Sequence, residues 1–506
     1  VSAIAPLLET DAYKLDHRRQ YPAGTSRVYS NFTNRGSRIP GVTHVVHFGL
    51  QAFLQRYLMD GFKAFFAADE DAVALAYERA VASILGPNDV GSDHIRALHQ
   101  LGHIPLRFAA VPEGTPVPLR VPSFTVENTH PDFFWLTNYI ETVLSASVWG
   151  PSTSATIARE YRKVLDDAAE RTGGSKEAVD FQLHDFSYRG MPGTEAAAAS
   201  GAGHLLSFKG SDSLASLEWI DTYYGDNPWR TDLYPSHTGL PNGLILGSVP
   251  ATEHSVMCAG GQDDEEETYE RLLELYPSGI VSIVSDTWDL WHVVMSILPR
   301  LRHDIMQRDG KVVIRPDSGD PADIICGTRR TKRGYNDAAG TPEEAGLIEL
   351  LWEIFGGTTV KGLKVLDPHI GAIYGDSITI DRARDIIERL EAKGFAPSNI
   401  VFGVGSYTYQ YVTRDTFGSA IKATYVVVDG EGRNIQKAPK TDNGLKKSAT
   451  GRLAVVRSNG ELTLIQEASP ALEAVSELQP VWEDGQFITY QSFADVRRQL
   501  ALSTDG

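Results

Sequence analysis

Arg315-Pro316-Asp317-Ser318-Gly319 places a cation, a carboxylate and a hydroxyl on one short stretch, directly after the apolar run 312–314. A carboxylate there suits ribose hydroxyls, and an arginine suits a phosphate through paired N–H donors. The same residues also make a capped turn with a surface ion pair. Gly375-Asp376 and Gly403-Val404-Gly405 are glycine loops between apolar runs and helical patterns. Backbone amides in such loops cradle a phosphate beside a helix N-terminus. Phe186 and Arg189 share a third loop. An aromatic face holds a flat heterocycle and an arginine neutralises phosphate, although a core phenylalanine beside a surface arginine fits the pattern equally. In Glu253-His254-Ser255 the histidine suits a general base, a metal ligand, a covalent phosphate carrier or a structural hydrogen bond. No second histidine stands at zinc-site spacing from it. Lys437, Lys440, Lys446, Lys447 and Arg452 form a basic cluster, either a solvated surface or a place to capture polyphosphate.

These loops need a frame that brings them together. Short apolar runs at 181–183, 205–208, 280–284, 312–314, 370–374 and 400–402 each end in a polar loop rich in Gly, Asp or Ser. Helical patterns follow several of them. In one, Thr379 is a cap, Ile380, Ala383, Ile386, Ile387 and Leu390 share a face, and Gly394 closes the helix. Buried strands alternating with helices read as parallel βαβ units, in a barrel or a doubly wound sheet. In both folds the C-terminal strand ends carry the ligand chemistry.

The flanks have another rhythm. Strand-like pieces at 27–32 and 106–111, a helix over 48–58, and turns at Pro112-Glu113-Gly114-Thr115-Pro116, Asp429-Gly430 and Asn459-Gly460 suggest hairpins. The expected organisation is an α/β protein. Residues 1–150 form the N-terminal α+β portion of a smaller β-rich domain, 151–415 a catalytic β/α barrel, and 416–506 a return to the smaller domain.

The chain has 506 residues, 42% hydrophobic and 22% charged, with a formal net charge of −18. That surface repels nucleic acid and anionic lipid, so an anionic substrate needs locally focused cations. The two cysteines, Cys258 and Cys326, fit a reduced compartment, and the first residues carry no signal-peptide pattern. No apolar stretch reaches the ~20 residues of a membrane helix. The expectation is a cytoplasmic protein.

Taken in order, these motifs resemble the nicotinamide phosphoribosyltransferase family of type II phosphoribosyltransferases. The resemblance begins at Thr10-Asp11-Ala12-Tyr13-Lys14 and runs through Val126-Glu127-Asn128-Thr129, Trp135-Leu136-Thr137-Asn138, Leu183-His184-Asp185-Phe186-Ser187-Tyr188-Arg189-Gly190 and Phe208-Lys209-Gly210-Ser211-Asp212. It continues through Glu253-His254-Ser255, Val284-Ser285-Asp286, the Arg315 loop, Gly375-Asp376 and Thr413-Arg414-Asp415, and closes at Gly451-Arg452-Leu453.

The resemblance implies a reaction of nicotinamide with phosphoribosyl pyrophosphate, with Mg²⁺ as cofactor and ATP as co-substrate, in a homodimer whose active sites are shared. Phe186 would stack on one face of the base and Tyr13 of a second subunit on the other. Asp212 would accept from the carboxamide. Arg189 and Arg315 would line the ring and ribose-phosphate region, with Asp317 on the ribose hydroxyls. Gly375, Asp376 and Gly405 would surround the 5′-phosphate and ribose. Arg414, Arg35, Lys422 and Lys437 would face the pyrophosphate. His254 would be phosphorylated from ATP, supported by Glu253 and Asp286. A carboxylate at 212 repels nicotinate and accepts from an amide, which favours nicotinamide. The alternatives are a nicotinate phosphoribosyltransferase and a catalytically silent nucleotide-binding homologue. Residues 403–408 depart from the family's more glycine-rich loop, and 227–246 and 328–344 do not align cleanly.

Overall fold

The computed structural model describes residues 2–225, 245–328, 340–375, 377–439, 441 and 447–503. Of the two divergent stretches, most of 227–246 and the middle of 328–344 lie outside the described residues, as do Asp376, Lys440 and Lys446. The chain divides into two compact units. The first takes Val1–Thr156, Trp219–Gly243 and Val412–Gly506, and the second takes Ile157–Glu218 and Leu244–Tyr411. No helix among the described residues is long and apolar enough to cross a membrane.

The second unit is built on six parallel strands: β1 (Leu183–Asp185), β2 (Gly210–Ser211), β3 (Ser278–Val284), β4 (Asp309–Arg315), β5 (Ile370–Tyr374) and β6 (Ile400–Val404). Their spatial order is β2-β1-β6-β5-β4-β3. Ile283, Val312, Ile314 and Phe402 are wholly buried, and Ile370 nearly so. Such apolar runs are what strands covered on both faces require. The two edges, β2 and β3, pair with the same irregular segment. Gly247 bridges Gly210 and Ala251 bridges Ser282, both in parallel. Ser211 N–H donates to Gly247 O at 3.1 Å and Ser282 N–H to Pro250 O at 2.9 Å. A sheet that curls toward closure must satisfy its edges in this way.

The helix Ile380–Ala392 follows its pattern closely. Thr379 Oγ1 accepts from Arg382 N–H at 3.2 Å, and Ala383, Ile386, Ile387 and Leu390 are buried. The apolar run 205–208 behaves differently from its expected strand. Leu205, Leu206 and Phe208 are buried as a turn that continues the helix Thr194–His204, and the strand begins only at Gly210. An apolar run this short does not by itself distinguish a strand from a buried helix end.

The first unit centres on a seven-stranded antiparallel sheet that mixes the two ends of the chain. Thr25–Asn34 pairs with Ser419–Val428 on one side and with Pro122–Asn128 on the other. Leu106–Ala110 pairs with Gln479–Glu483. Asp429 and Gly430 both have positive φ at one hairpin, and so do Asn459 and Gly460 at another, as two-residue turns demand. Phe32, Phe53, Phe108, Phe124 and Trp482 lie in its core, each burial contributing about 1.5–3 kcal/mol.

Glu113 shows why 219–225 joins this unit. Its buried carboxylate accepts from Gly49 N–H, Gln51 N–H and, at 2.6 Å, the hydroxyl of Tyr224. The first unit spans more residues than the second and carries helices such as Glu70–Leu85 and Asp93–Leu101. By residue count it is therefore not the smaller of the two units, whereas the expected α+β character of its N-terminal portion allows for these helices.

Candidate active site

Phe186 follows β1. Its N–H donates to Val404 O at 2.8 Å, which ties the loop to the end of β6. Gly403 makes this close approach possible, since a Cβ there would fall 2.6 Å from Tyr374 O and 3.0 Å from Phe186 Cε2. The Phe186 ring lies 4.5 Å from that of His184, tilted by 35°. Asp212 follows β2, and its N–H donates to Asp185 O at 2.9 Å. His184 Nε2 lies 3.1 Å from Asp212 Oδ1, and the Ser248 hydroxyl donates to the same oxygen. Burial pushes the Asp212 carboxyl up. The His184 and Ser248 hydrogen bonds, with the charges of His184 and Arg315, outweigh it and hold the group below its usual range.

Arg315 ends β4 and donates to Thr252 O. Its buried Nε has no partner among the described residues. Burial lowers the pKa of its guanidinium, opposed by Asp317, Asp212 and Asp286 and reinforced by Arg189. Arg189 itself is exposed. Gly375 follows β5, with N–H donating to Pro316 O at 3.0 Å, and Gly405 follows β6. Phe186, Arg189, Asp212, Arg315, Asp317, Gly375 and Gly405 thus all stand at or just beyond the C-terminal ends of the parallel strands.

His254 opens the short helix His254–Gly260. Its Nε2 lies 3.3 Å from Asp317 Oδ1 and its Nδ1 3.1 Å from Thr287 Oγ1. Glu253 takes the Ser255 hydroxyl instead of the imidazole. Asp286 Oδ2 accepts from the N–H groups of Asp317 and Ser318 at 2.9 and 2.8 Å, so this carboxylate orders the Arg315 loop. Its other oxygen, Oδ1, is buried with no hydrogen-bond partner among the described residues. Ligand atoms of His254, Asp286 and Asp317 all lie within 4.8 Å of one another. Two carboxylates with one vacant buried lone pair fit a hard divalent cation such as Mg²⁺, which prefers oxygen donors.

The remaining predicted residues lie in the first unit. Tyr13, Arg35, Arg414, Lys422 and Lys437 line one cavity of about 510 Å³ together with Asp11 and Glu141. Tyr13 is 64% exposed, and its hydroxyl donates to Asp11 Oδ2 at 3.2 Å. Burial lowers the pKa of Lys422, Glu141 raises it, and Arg35 and Lys437 add repulsion. Arg452, counted in the basic cluster, is engaged elsewhere. Its guanidinium is held between Glu127 and Glu473 and lies 4.5 Å from the Tyr29 ring centroid.

Three residues beside the site escaped the sequence reading. His184 stands inside the Leu183–Gly190 motif, where nothing in the local spacing marks it as a partner of Asp212. Ser248 and Thr252 lie on the irregular edge segment, which has neither strand nor helix periodicity.

Residues 181–484 match the profile of the nicotinate phosphoribosyltransferase family, and residues 5–75 that of the nicotinamide phosphoribosyltransferase N-terminal domain. A nicotinamide phosphoribosyltransferase of Acinetobacter baylyi is 50% identical over 98% of this chain and 97% of its own length. One of Mycoplasma pneumoniae is 35% identical over 88% of this chain and 94% of its own. Among solved structures, a nicotinate-nucleotide pyrophosphorylase from Pyrococcus furiosus superposes with TM-score 0.58 at 15% identity, covering 100% of this chain and 97% of its own. The human nicotinic acid phosphoribosyltransferase does so with TM-score 0.50 at 16% identity, covering 98% and 93%. These two share the type II phosphoribosyltransferase fold, a mixed α/β architecture with a parallel sheet, and the chain is a phosphoribosyltransferase. Within that class it belongs to the nicotinamide phosphoribosyltransferase family.

Proposed function

We propose that this enzyme joins nicotinamide to phosphoribosyl pyrophosphate in NAD salvage, forming nicotinamide mononucleotide and pyrophosphate at the C-terminal face of a β/α barrel. The observation that carries the choice of base is Asp212, a carboxylate held below its usual pKa range by Ser248 and by His184, whose ring packs against Phe186. An amide N–H donates to such an oxygen, whereas a second carboxylate is repelled by it.

The ring nitrogen of the base donates its lone pair to C1 of the ribose. The bond from C1 to the pyrophosphate oxygen breaks, and its electrons leave with pyrophosphate. Positive charge grows on the sugar and then on the pyridine ring. Stacking between Phe186 and Tyr13 of a second copy favours that cation over the neutral base by ~0.5–2 kcal/mol per ring. Arg189 and Arg315 line the ring and ribose-phosphate region, Asp317 takes the ribose hydroxyls, and Gly375 and Gly405 surround the 5′-phosphate and ribose. Arg35, Arg414, Lys422 and Lys437 receive the leaving pyrophosphate. A preorganised donor of this kind is worth roughly 10²–10³ in rate. Asp286 and Asp317 would hold Mg²⁺, which when bound neutralises pyrophosphate charge.

ATP hydrolysis is coupled through His254. Its nitrogen takes the γ-phosphoryl group as ADP leaves, and water later releases phosphate. Contact with Asp317 and Thr287 fixes the ring for that role. Sharing of Tyr13 makes the active unit a homodimer, and we place it in the cytoplasm. The second reading, transfer to nicotinate, draws on the profile matched over residues 181–484. Incubation with phosphoribosyl pyrophosphate and either base separates the two.

A further inference from the structure

We infer that His184 and Ser248 are positioning residues that set the choice of base by clamping Asp212. This rests on the role proposed for Asp212. Both residues act on one oxygen. His184 Nε2 stands 3.1 Å from Asp212 Oδ1, and the Ser248 hydroxyl donates to that same Oδ1. No bond of this kind reaches Oδ2 among the described residues. The carboxylate is therefore pinned by one arm, and the other is its free acceptor.

The clamp is built from three directions. His184 lies on β1, Asp212 just beyond β2, and Ser248 on the segment that pairs with the β2 edge. The His184 ring is confined on two sides. It faces Phe186 at 4.5 Å, and a Cβ on Gly210 would fall 2.9 Å from its Nδ1. Its side chain is only 12% exposed, against 41% for Asp212. A histidine so confined has little rotamer freedom, so its hydrogen bond fixes a partner that solvent would otherwise let swing.

The consequence concerns discrimination. An aspartate free to rotate neither meets an amide N–H squarely nor opposes a nicotinate carboxylate at close range. Attraction and repulsion should weaken together, and selectivity with them. The charges that act on the Asp212 carboxylate are those of His184 and Arg315.

The test compares kcat and KM for nicotinamide and for nicotinate in four variants of the full-length enzyme. His184→Leu and Ser248→Ala should each raise KM for nicotinamide by about tenfold, the loss of one charge-assisted hydrogen bond. The nicotinamide preference should fall by a similar factor, with kcat nearly unchanged. His184→Gln keeps a donor and should restore most of the preference, which a purely structural role would not do. Asp212→Asn is the control. If it relaxes the choice of base while the His184 and Ser248 variants keep full preference, the clamp is wrong and the Asp212 reading stands. If Asp212→Asn also leaves the preference intact, that reading itself fails. If His184→Leu does not fold, Ser248→Ala decides alone, since removing one exposed hydroxyl leaves the packing intact.

Discussion

His254 Nε2 lies 3.3 Å from Asp317 Oδ1, which joins the proposed phosphate carrier to the carboxylate assigned to the ribose. Asp286 binds the backbone of Asp317 and Ser318, so one network holds the carrier, the ribose contact and the loop between them. His254→Ala should abolish the stimulation of mononucleotide synthesis by ATP while leaving a slower ATP-independent rate. Initial rates with and without ATP measure this. Full stimulation in the variant would contradict the phosphohistidine.

Tyr13 and Phe186 are assigned to opposite faces of one base but to different copies of the chain. Tyr13→Ala and Phe186→Ala homodimers should both turn over poorly. Mixing and re-associating them should restore activity, because one composite site then keeps both aromatic rings. No recovery on mixing, or full activity in a dilute monomer, would refute the shared site.

Arg452 sits between Glu127 and Glu473 and over the Tyr29 ring, with side-chain exposures of 23%, 11% and 22% for the three charged partners. Those carboxylates drive its pKa far up against the opposing effect of burial. Arg452→Ala takes the close ion pair away from the partly buried Glu473 and leaves the buried Glu127 with only Arg27 at 3.7 Å. The expected loss is roughly 3 kcal/mol, typical of a broken buried pair. Urea unfolding measures it, and a change within about 0.5 kcal/mol, usual for a surface site, would show the pair to be idle.

Glu265 is 4% exposed, and its Oε1 has no partner among the described residues. Burial, then the charge of Asp289, pushes its pKa from 4.5 to about 7. An acid with a raised folded pKa holds its proton longer when folded. Its contribution is present in full below the unfolded value and lost as pH rises through about 7. The stability gained by Glu265→Gln should therefore grow between about pH 5 and about pH 8. A gain independent of pH would contradict this.

Much of the parallel unit was legible because its signals are local. Residues 370–374 are an apolar run bounded by polar residues, and Thr379 to Leu390 show a capped 3.6-residue period. Both elements formed where the pattern placed them. Residues 205–208 misled because a buried helix end and a buried strand share the same composition. The edge segment at 247–252 was invisible for a related reason, since two isolated bridges need no periodicity. Asn459-Gly460 announced its hairpin through backbone chemistry alone.

At the site, residue types told which groups suit phosphate, ribose or an aromatic base, but not which groups meet. Asp286 illustrates the gap. The resemblance implied support for His254, whereas its Oδ2 binds the backbone of the Arg315 loop. Arg452 illustrates it again, drawn from the basic cluster into an ion pair with carboxylates distant in sequence. Contacts set by tertiary pairing carry no signal in local spacing.

The central claim is the transfer of phosphoribosyl to an amide base. The direct measurement is a competition in which nicotinamide and nicotinate are supplied together with phosphoribosyl pyrophosphate, Mg²⁺ and ATP, and both mononucleotides are quantified. Nicotinamide mononucleotide should dominate the product, with pyrophosphate formed in equal amount. Exclusive formation of nicotinate mononucleotide would contradict the account.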